Sequence, residues 1–401
     1  MYDFTAPFGN PSGSPIRELF KYQREPGMIS FAGGYPASDL FDVAGLQRAT
    51  ERAWQSPVAC LQYGPTDGIA ELKAELKRLM HQRQAICSDD ELLVTTGSQQ
   101  GFDLLLRIFV NPGDVVVTEE PAYPATLQAL RLAQAEVVTV PVDADGIDVA
   151  RLTEMLESGL VRAPKLLYTV PTFANPTGGT LSRDRRIALL KLAVTYRFVI
   201  IEDDPYGDLR FSGAAIPSML ALSAEVEGAR QWLVHFASLS KIVAPGLRIG
   251  WIVAPKDIVR RCIVAKQTMD LCSAPLTQLI AAEYLRDDAL SRHLPVLIDT
   301  YRAKCQALCS AMASAFGDAM AFHPPAGGLF VWATVKEVEA SALLKHALER
   351  KVMFVPGPAF YVREADAYAL RLSFAAPPIG DIAEGVARLK SAYLVARDTR
   401  Q

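Results

Sequence analysis

The stretch from Leu92 to Asp203 restricts the possible folds more than any other. Short apolar runs, LLVTTG, VVVTEE, VVTVPV, LLYTV and FVIIEDD, alternate with segments of helical spacing, SQQGFDLLLRIFV, YPATLQALRLAQ, VARLTEMLE and SRDRRIALLKLAVTYR. Buried strands that alternate with helices specify an α/β fold with a mostly parallel central sheet, covered by helices on both faces through right-handed crossovers. Ligands of such sheets gather at the carboxyl ends of the strands. Polar residues just past those ends are therefore the first candidates for chemistry.

The run HFASLSKIVAPGLRIGWIVAP, residues 235–255, reads as strand, tight loop and strand, with Pro245-Gly246 as the turn. It places one lysine, Lys241, near a strand end. A lysine beside a turn is usually a solvated surface residue, and Ser-x-Ser-Lys also occurs in serine acyl-transfer sites. Held between apolar walls, however, a lysine loses solvation, its pKa falls, and the neutral amine can form a Schiff base with an aldehyde. Ser238 and Arg248 flank it in sequence and supply a hydroxyl and a guanidinium. That set suits an aldehyde carrying a phosphate, such as pyridoxal phosphate.

Other strand ends carry matching pieces. In Thr96-Gly97-Ser98-Gln99-Gln100-Gly101, the helix-opening N–H groups and the Ser98 hydroxyl can hold a phosphate; a plain helix cap at Ser98 is the simpler reading. Tyr123, in EEPAYP, is placed to stack on an aromatic ring, although loop aromatics more often pack. Asn175, in the turn Asn175-Pro176-Thr177-Gly178, can donate its amide to a phenolate oxygen. The acids Glu202, Asp203 and Asp204 end the buried strand FVII. With no histidine nearby in sequence they suit one carboxylate opposite a pyridine nitrogen better than a metal. Near the start, Gly33-Gly34-Tyr35 allows close backbone approach to a ligand, and Arg17 lies in a short helix.

Composition narrows the class. With 41 Lys and Arg against 44 Asp and Glu the chain carries a formal charge of −3, which gives no reason to expect nucleic acid as a partner. No apolar stretch is long enough to span a membrane, and a cytoplasmic protein is expected. The six cysteines form no C-x-x-C pair or cysteine-histidine cluster, so neither structural zinc nor a disulfide framework is suggested. Beyond Pro255 the pattern shifts to longer helices and then short strands. We read residues 1–44 as an arm joining the smaller α+β domain, 45–260 as a large cofactor-binding domain, and 261–401 as the small domain.

Taken together these segments resemble the fold-type I, class I/II aminotransferases that use pyridoxal 5'-phosphate, in particular the 2-aminoadipate/kynurenine, multi-substrate branch. The resemblance runs from Ser14-Pro15-Ile16-Arg17 and SFAGGYP to LRLSFA. It implies that Lys241 is the catalytic amine and that Ser98, Gln99, Ser238 and Arg248 meet the cofactor phosphate. Tyr123 would lie on the ring, Asp203 at its nitrogen, and Asn175 and Tyr206 at its phenolate oxygen. Tyr63, in L-Q-Y-G-x-x-x-G, would reach the neighbouring site of a homodimer. Arg371 would grip the substrate α-carboxylate, with Asn175, Gly34, Tyr35 and Arg17 lining the substrate pocket.

The implied activity moves an amino group from an L-amino acid to 2-oxoglutarate or pyruvate by a ping-pong mechanism, with an aromatic, 2-aminoadipate-like or branched-chain donor. Two other readings fit the same residues. One is a pyridoxal-phosphate lyase or decarboxylase. The other is the effector-sensing domain of an aminotransferase-like transcription regulator, which would need a basic DNA-binding domain of about a hundred residues ahead of the cofactor fold.

Overall fold

Strands without a polar face should be covered on both sides, and they are. In the computed structural model, which describes residues 2–9, 13, 15–363 and 365–399, the described chain forms fourteen strands among its helices. They are β1 (Ile29–Ser30), β2 (Leu92–Thr95), β3 (Val115–Glu120), β4 (Glu136–Asp143), β5 (Gly146–Ile147), β6 (Leu166–Thr169) and β7 (Val199–Asp203). There follow β8 (Leu233–Ser238), β9 (Gly250–Val253), β10 (Met320–Phe322), β11 (Phe330–Val335), β12 (Val352–Met353), β13 (Val355–Pro356) and β14 (Ala369–Ser373). Ser14, part of the resemblance above, lies outside the described residues.

The large sheet has the order β2-β9-β8-β7-β6-β3-β4-β5. From β8 to β4 every pairing is parallel, and β6, β7 and β8 are buried at each position. Two-sided burial explains why their sequences read as continuous apolar runs rather than alternations. The flanks are antiparallel: β9 pairs so with both β8 and β2, and β5 with β4. The two-residue β5 follows the turn at Asp143–Gly146 and is too short to show a period in sequence.

Chain order reverses at β3, whose neighbours are β4 on one side and β6 on the other. The loops leaving β3 and β6 therefore part at their carboxyl ends, opening a crevice at the topological switch point.

The smaller sheet is antiparallel, in the order β10-β11-β14-β13. The N-terminal segment joins it. β1 pairs with β12 in register Ile29↔Val352, and the Ser373 amide donates to the Phe31 carbonyl at 2.7 Å. The Ala37 amide donates to Tyr301 Oη at 3.1 Å, on the helix Ala289–Phe316. These bonds fix residues 32–35 over the mouth of the large sheet's crevice. Among the described residues no helix is long and apolar enough to cross a membrane.

Candidate active site

Lys241 stands three residues past the end of β8, in the loop that returns through the 3-10 turn Pro245–Leu247 to β9. Ser238 closes the base of that loop: its buried Oγ accepts from the Ser240 amide at 3.0 Å and lies 3.1 Å from the Ile249 carbonyl oxygen. Lys241 Nζ donates to the Gly34 carbonyl at 2.9 Å, across to the N-terminal segment. Burial pushes the ammonium down to about 8, helped by the like charges of Arg371 and Arg248 and opposed by Asp203. A substantial neutral fraction near pH 8 makes this amine a nucleophile and a base.

The three acids at the end of β7 are sorted by their partners. Glu202 is fully buried and satisfied: Oε1 accepts from the Met219 amide at 2.6 Å, while Oε2 accepts from the Leu220 amide at 3.1 Å and lies 2.8 Å from His235 Nδ1. Asp204 Oδ1 accepts from the Gly207 amide at 2.9 Å, closing a turn. Asp203 differs, because Oδ2 accepts from Tyr168 Oη at 2.6 Å while Oδ1 is buried without a hydrogen-bond partner. Desolvation raises its pKa to about 6, with Tyr168 holding it down and Asp204 pushing it up. Such an orphan acceptor costs free energy unless a ligand donor meets it.

In sequence Arg371 alternates with Leu370 and Leu372, a pattern that turns it away from the apolar face and suits a surface charge. Instead β14 is buried at every position, and the guanidinium lies 4.4 Å from the Phe330 ring centroid and 5.1 Å from that of Phe360. Both faces of this strand are covered, so alternation does not mark a solvent face here. Nη1 donates to Asn175 Oδ1 at 2.7 Å and Nη2 to the Ala32 carbonyl at 2.6 Å, whereas Nε is buried and unpartnered. Burial lowers its pKa to about 10, which still leaves it cationic at neutral pH. Asn175 in turn hydrogen-bonds Tyr206, whose phenol is pushed up by burial. One chain of contacts thus joins β14, the loop after β6 and the end of β7.

The glycine loop before the helix Ser98–Phe109 forms a shallow cradle. Gly97, at φ 80°, is the helix cap, which moves Ser98 to the first helical position and excludes the plain Ser98 cap. A Cβ on Gly97 would lie 2.5 Å from Arg248 Nη2, and one on Gly250 only 2.7 Å from the Gly97 carbonyl carbon and the Ser98 nitrogen. The helix N-terminus has no side-chain cap and faces the Arg248 guanidinium, an arrangement suited to a phosphate. Arg248 Nη2 also donates to the Thr96 carbonyl at 3.2 Å.

The remaining expected residues fall in two groups. Tyr123 is partly buried and close enough to Asp203, Arg371, Arg17 and Tyr35 to feel their charge. Tyr35, 44% exposed, lies beside Arg17, whose charge partly offsets the upward push of burial on the phenol. Tyr63 is 77% exposed on the loop after the helix Pro57–Leu61, and Gln99 is exposed on the first turn of its helix.

Four spatial partners escaped the sequence reading. Gln100, not Gln99, braces the cradle, accepting from the Thr96 amide at 2.8 Å and donating to Asp270 Oδ2 at 2.6 Å. Tyr168 holds Asp203, and Phe330 and Phe360 sandwich Arg371. Each partner lies on a different element, so no spacing reveals it. The one available signal was Tyr168 in an otherwise aliphatic central strand, because a buried phenol needs an acceptor.

The sequence pattern described as "Aminotransferase class I and II" matches residues 34–389. The chain belongs to this family. It is 38% identical over 381 residues to the aromatic-amino-acid aminotransferase 1 of Thermococcus litoralis, covering 94% of this chain and 90% of the other. The structure of the multiple substrate aminotransferase of Thermococcus profundus superposes with a TM-score of 0.92 at 35% identity, covering 99% of this chain and 98% of that one. LysN, the α-aminoadipate aminotransferase of Thermus thermophilus, is complexed with N-(5'-phosphopyridoxyl)-L-leucine. It superposes with a TM-score of 0.90 at 35% identity, covering 99% of this chain and 98% of that one.

As a fold-type I aminotransferase the chain is a transaminase dependent on pyridoxal 5'-phosphate. Its own residues fit that group: a depressed lysine amine, an orphan buried carboxylate oxygen, and an uncapped helix end beside an arginine.

Proposed function

We propose that this transaminase takes the amino group of an L-amino acid and gives it to a 2-oxo acid such as 2-oxoglutarate or pyruvate, in two half-reactions of a ping-pong cycle. The convergence of Lys241 Nζ, Asp203 Oδ1 and the Arg371 guanidinium on one crevice carries this reading. When bound, pyridoxal phosphate supplies an aldehyde and an electron-withdrawing ring that acidifies the substrate Cα–H bond.

The chain's residues do the rest. Arg248, Ser98, Ser238 and the helix end, with Gln99 beside them, would hold the phosphate, and Tyr123 would cover the ring face. Asp203 Oδ1 would keep a proton on the ring nitrogen, while Asn175 and Tyr206 would donate to the ring's phenolate oxygen. Arg371 clamps the substrate carboxylate through two N–H bonds and thereby orients Cα toward Lys241. Lys241 Nζ would take the Cα proton and return it to the former aldehyde carbon, two bonds away.

The donor side chain meets Gly34, Tyr35 and Arg17. Aromatic, 2-aminoadipate-like and branched-chain donors are the candidates, in keeping with the names of the relatives. We further propose a cytoplasmic homodimer, with residues 45–260 carrying the cofactor and the arm 1–44 joining the small domain 261–401. Six free thiols suit a reducing compartment. Exposed Tyr63 adjoins exposed Val58 and Leu61, an apolar patch suited to a second copy whose site Tyr63 would enter.

A panel of amino donors with 2-oxoglutarate and pyruvate tests the reading. The expected products are a 2-oxo acid and a new amino acid in equal amounts. Release of ammonia or carbon dioxide in their place would make the chain a lyase or decarboxylase.

A further inference from the structure

One oxygen of Asp203 is buried without a partner, and what holds the other oxygen decides where the free one points. Tyr168 Oη holds it, at 2.6 Å. Tyr168 on β6 is the register partner of Ile201 on β7, so its side chain shares the sheet face of Asp203, two residues further along β7. Behind the phenol, the hydroxyl of Thr126 hydrogen-bonds the Tyr168 oxygen from the helix Pro124–Leu132. Phe102 packs against the Tyr168 ring edge to face at 5.1 Å, which fixes the ring independently of its hydroxyl. Thr126, Tyr168 and Asp203 are all buried.

An aspartate carboxylate turns freely about its last torsion unless its oxygens are tied. Glu202 is tied by two backbone amides and a histidine. Among the described residues Asp203 is tied by one phenol, itself tied by one threonine. We infer that Tyr168 is a positioning residue, which aims Oδ1 of Asp203 at the cofactor's ring nitrogen by holding Oδ2, with Thr126 fixing the phenol from behind. The inference rests on the proposed role of Asp203. It is specific to the ring nitrogen, because none of these three side chains belongs to the cradle of Gly97, Ser98 and Arg248.

The test compares apoenzyme binding of pyridoxal phosphate with that of an analogue in which the ring nitrogen is replaced by C–H and the aldehyde, hydroxyl and phosphate are kept. Wild type, Tyr168→Phe, Thr126→Val and Asp203→Asn are titrated, and thermal unfolding of each apo form reports folding. Tyr168→Phe keeps the ring packed on Phe102. It should bind pyridoxal phosphate about tenfold more weakly, and the analogue within about twofold of wild type. Thr126→Val should show the same selectivity at about threefold, and it decides the matter if the phenylalanine variant does not fold.

Equal losses for both ligands, or no loss, in Tyr168→Phe would overturn the inference while a selective loss in Asp203→Asn kept that residue at the ring nitrogen. If Asp203→Asn itself failed to discriminate, the assignment of Asp203 would fall and the role of Tyr168 with it.

Discussion

Glu202 and Asp203 are consecutive on β7 and both buried, yet they face opposite sides of the sheet and live under opposite rules. On the Glu202 side a polar ladder crosses the strands. Glu119 accepts from the Thr169 hydroxyl and from the Val170 amide, Thr169 is the register partner of Glu202, and Glu202 is that of His235. Both Glu202 oxygens have partners, and although burial pushes its pKa up, His235, Arg186 and the Met219 amide together outweigh burial and lower it. On the Asp203 side one oxygen is left open and the pKa rises to about 6. Stability is served where polar groups are closed off, and chemistry is possible where one is left open.

Substitutions can break or sharpen that contrast. The largest effect belongs to the open side: Lys241→Ala should cut transamination by at least about 10⁴-fold, because both the nucleophile and the proton carrier are lost. Steady-state kinetics with the best donor checks it, and a variant within tenfold of wild type would remove Lys241 from the chemistry.

Arg371→Ala should lower kcat/KM for every amino donor by about 10²- to 10³-fold, the worth of a two-point charged bond. Arg371→Lys keeps the charge but loses the fork, so it should recover only part of the loss. A defect confined to donors with acidic side chains would place the arginine at the wrong end of the substrate.

On the closed side the effect should move from rate to stability. Glu202→Gln sets an amide NH₂ against backbone donors, and we expect unfolding to be easier by about 1–3 kcal/mol in denaturant titrations. The folded fraction should keep the wild-type preference for pyridoxal phosphate over its nitrogen-free analogue. Loss of that preference would erase the distinction between the two acids.

An effect of similar size has the opposite sign. A carboxyl whose folded pKa is raised contributes stability that is present below the unfolded value and lost as pH rises through the folded one. For Asp203 that window runs from the model-peptide value of 3.8 to about 6. Apo Asp203→Asn should therefore be more stable than apo wild type at pH 8, by about 1–3 kcal/mol, and the gap should close toward pH 4. Unfolding of the apo forms across that range is the check; a gap independent of pH would mean that Asp203 is not held as a strained charge.

The legible part of this molecule was whatever followed the chain. The αβ alternation gave away the central sheet, because strands buried on both faces must be apolar throughout, as in β6, β7 and β8. Lys241, Asn175, Asp203 and Arg248 were found at strand ends because that is where such sheets place their ligands. Illegible were relations between elements. The family resemblance singles out Asp203 among Glu202, Asp203 and Asp204, but the physical difference between them, which oxygens find donors on β6, β8 and the helix Met219–Leu222, is not recorded in any spacing. Arg371 read as a strand arginine with one polar side, and only the packing of Phe330 and Phe360 shows it buried at 1% exposure. The bracing role of Gln100 depends on Thr96 and Asp270, which lie on other elements, so the sequence does not mark it.

The central claim is that the ε-amine of Lys241 is the tether for the aldehyde. Reconstitute the apoenzyme with pyridoxal phosphate, reduce with borohydride, digest and map the phosphopyridoxyl group by mass spectrometry. The account predicts one stoichiometric label, on the peptide that contains Lys241, and none on the same peptide of Lys241→Ala. A label of equal yield on Lys266, Lys304 or a surface lysine, with Lys241 unmodified, would contradict it.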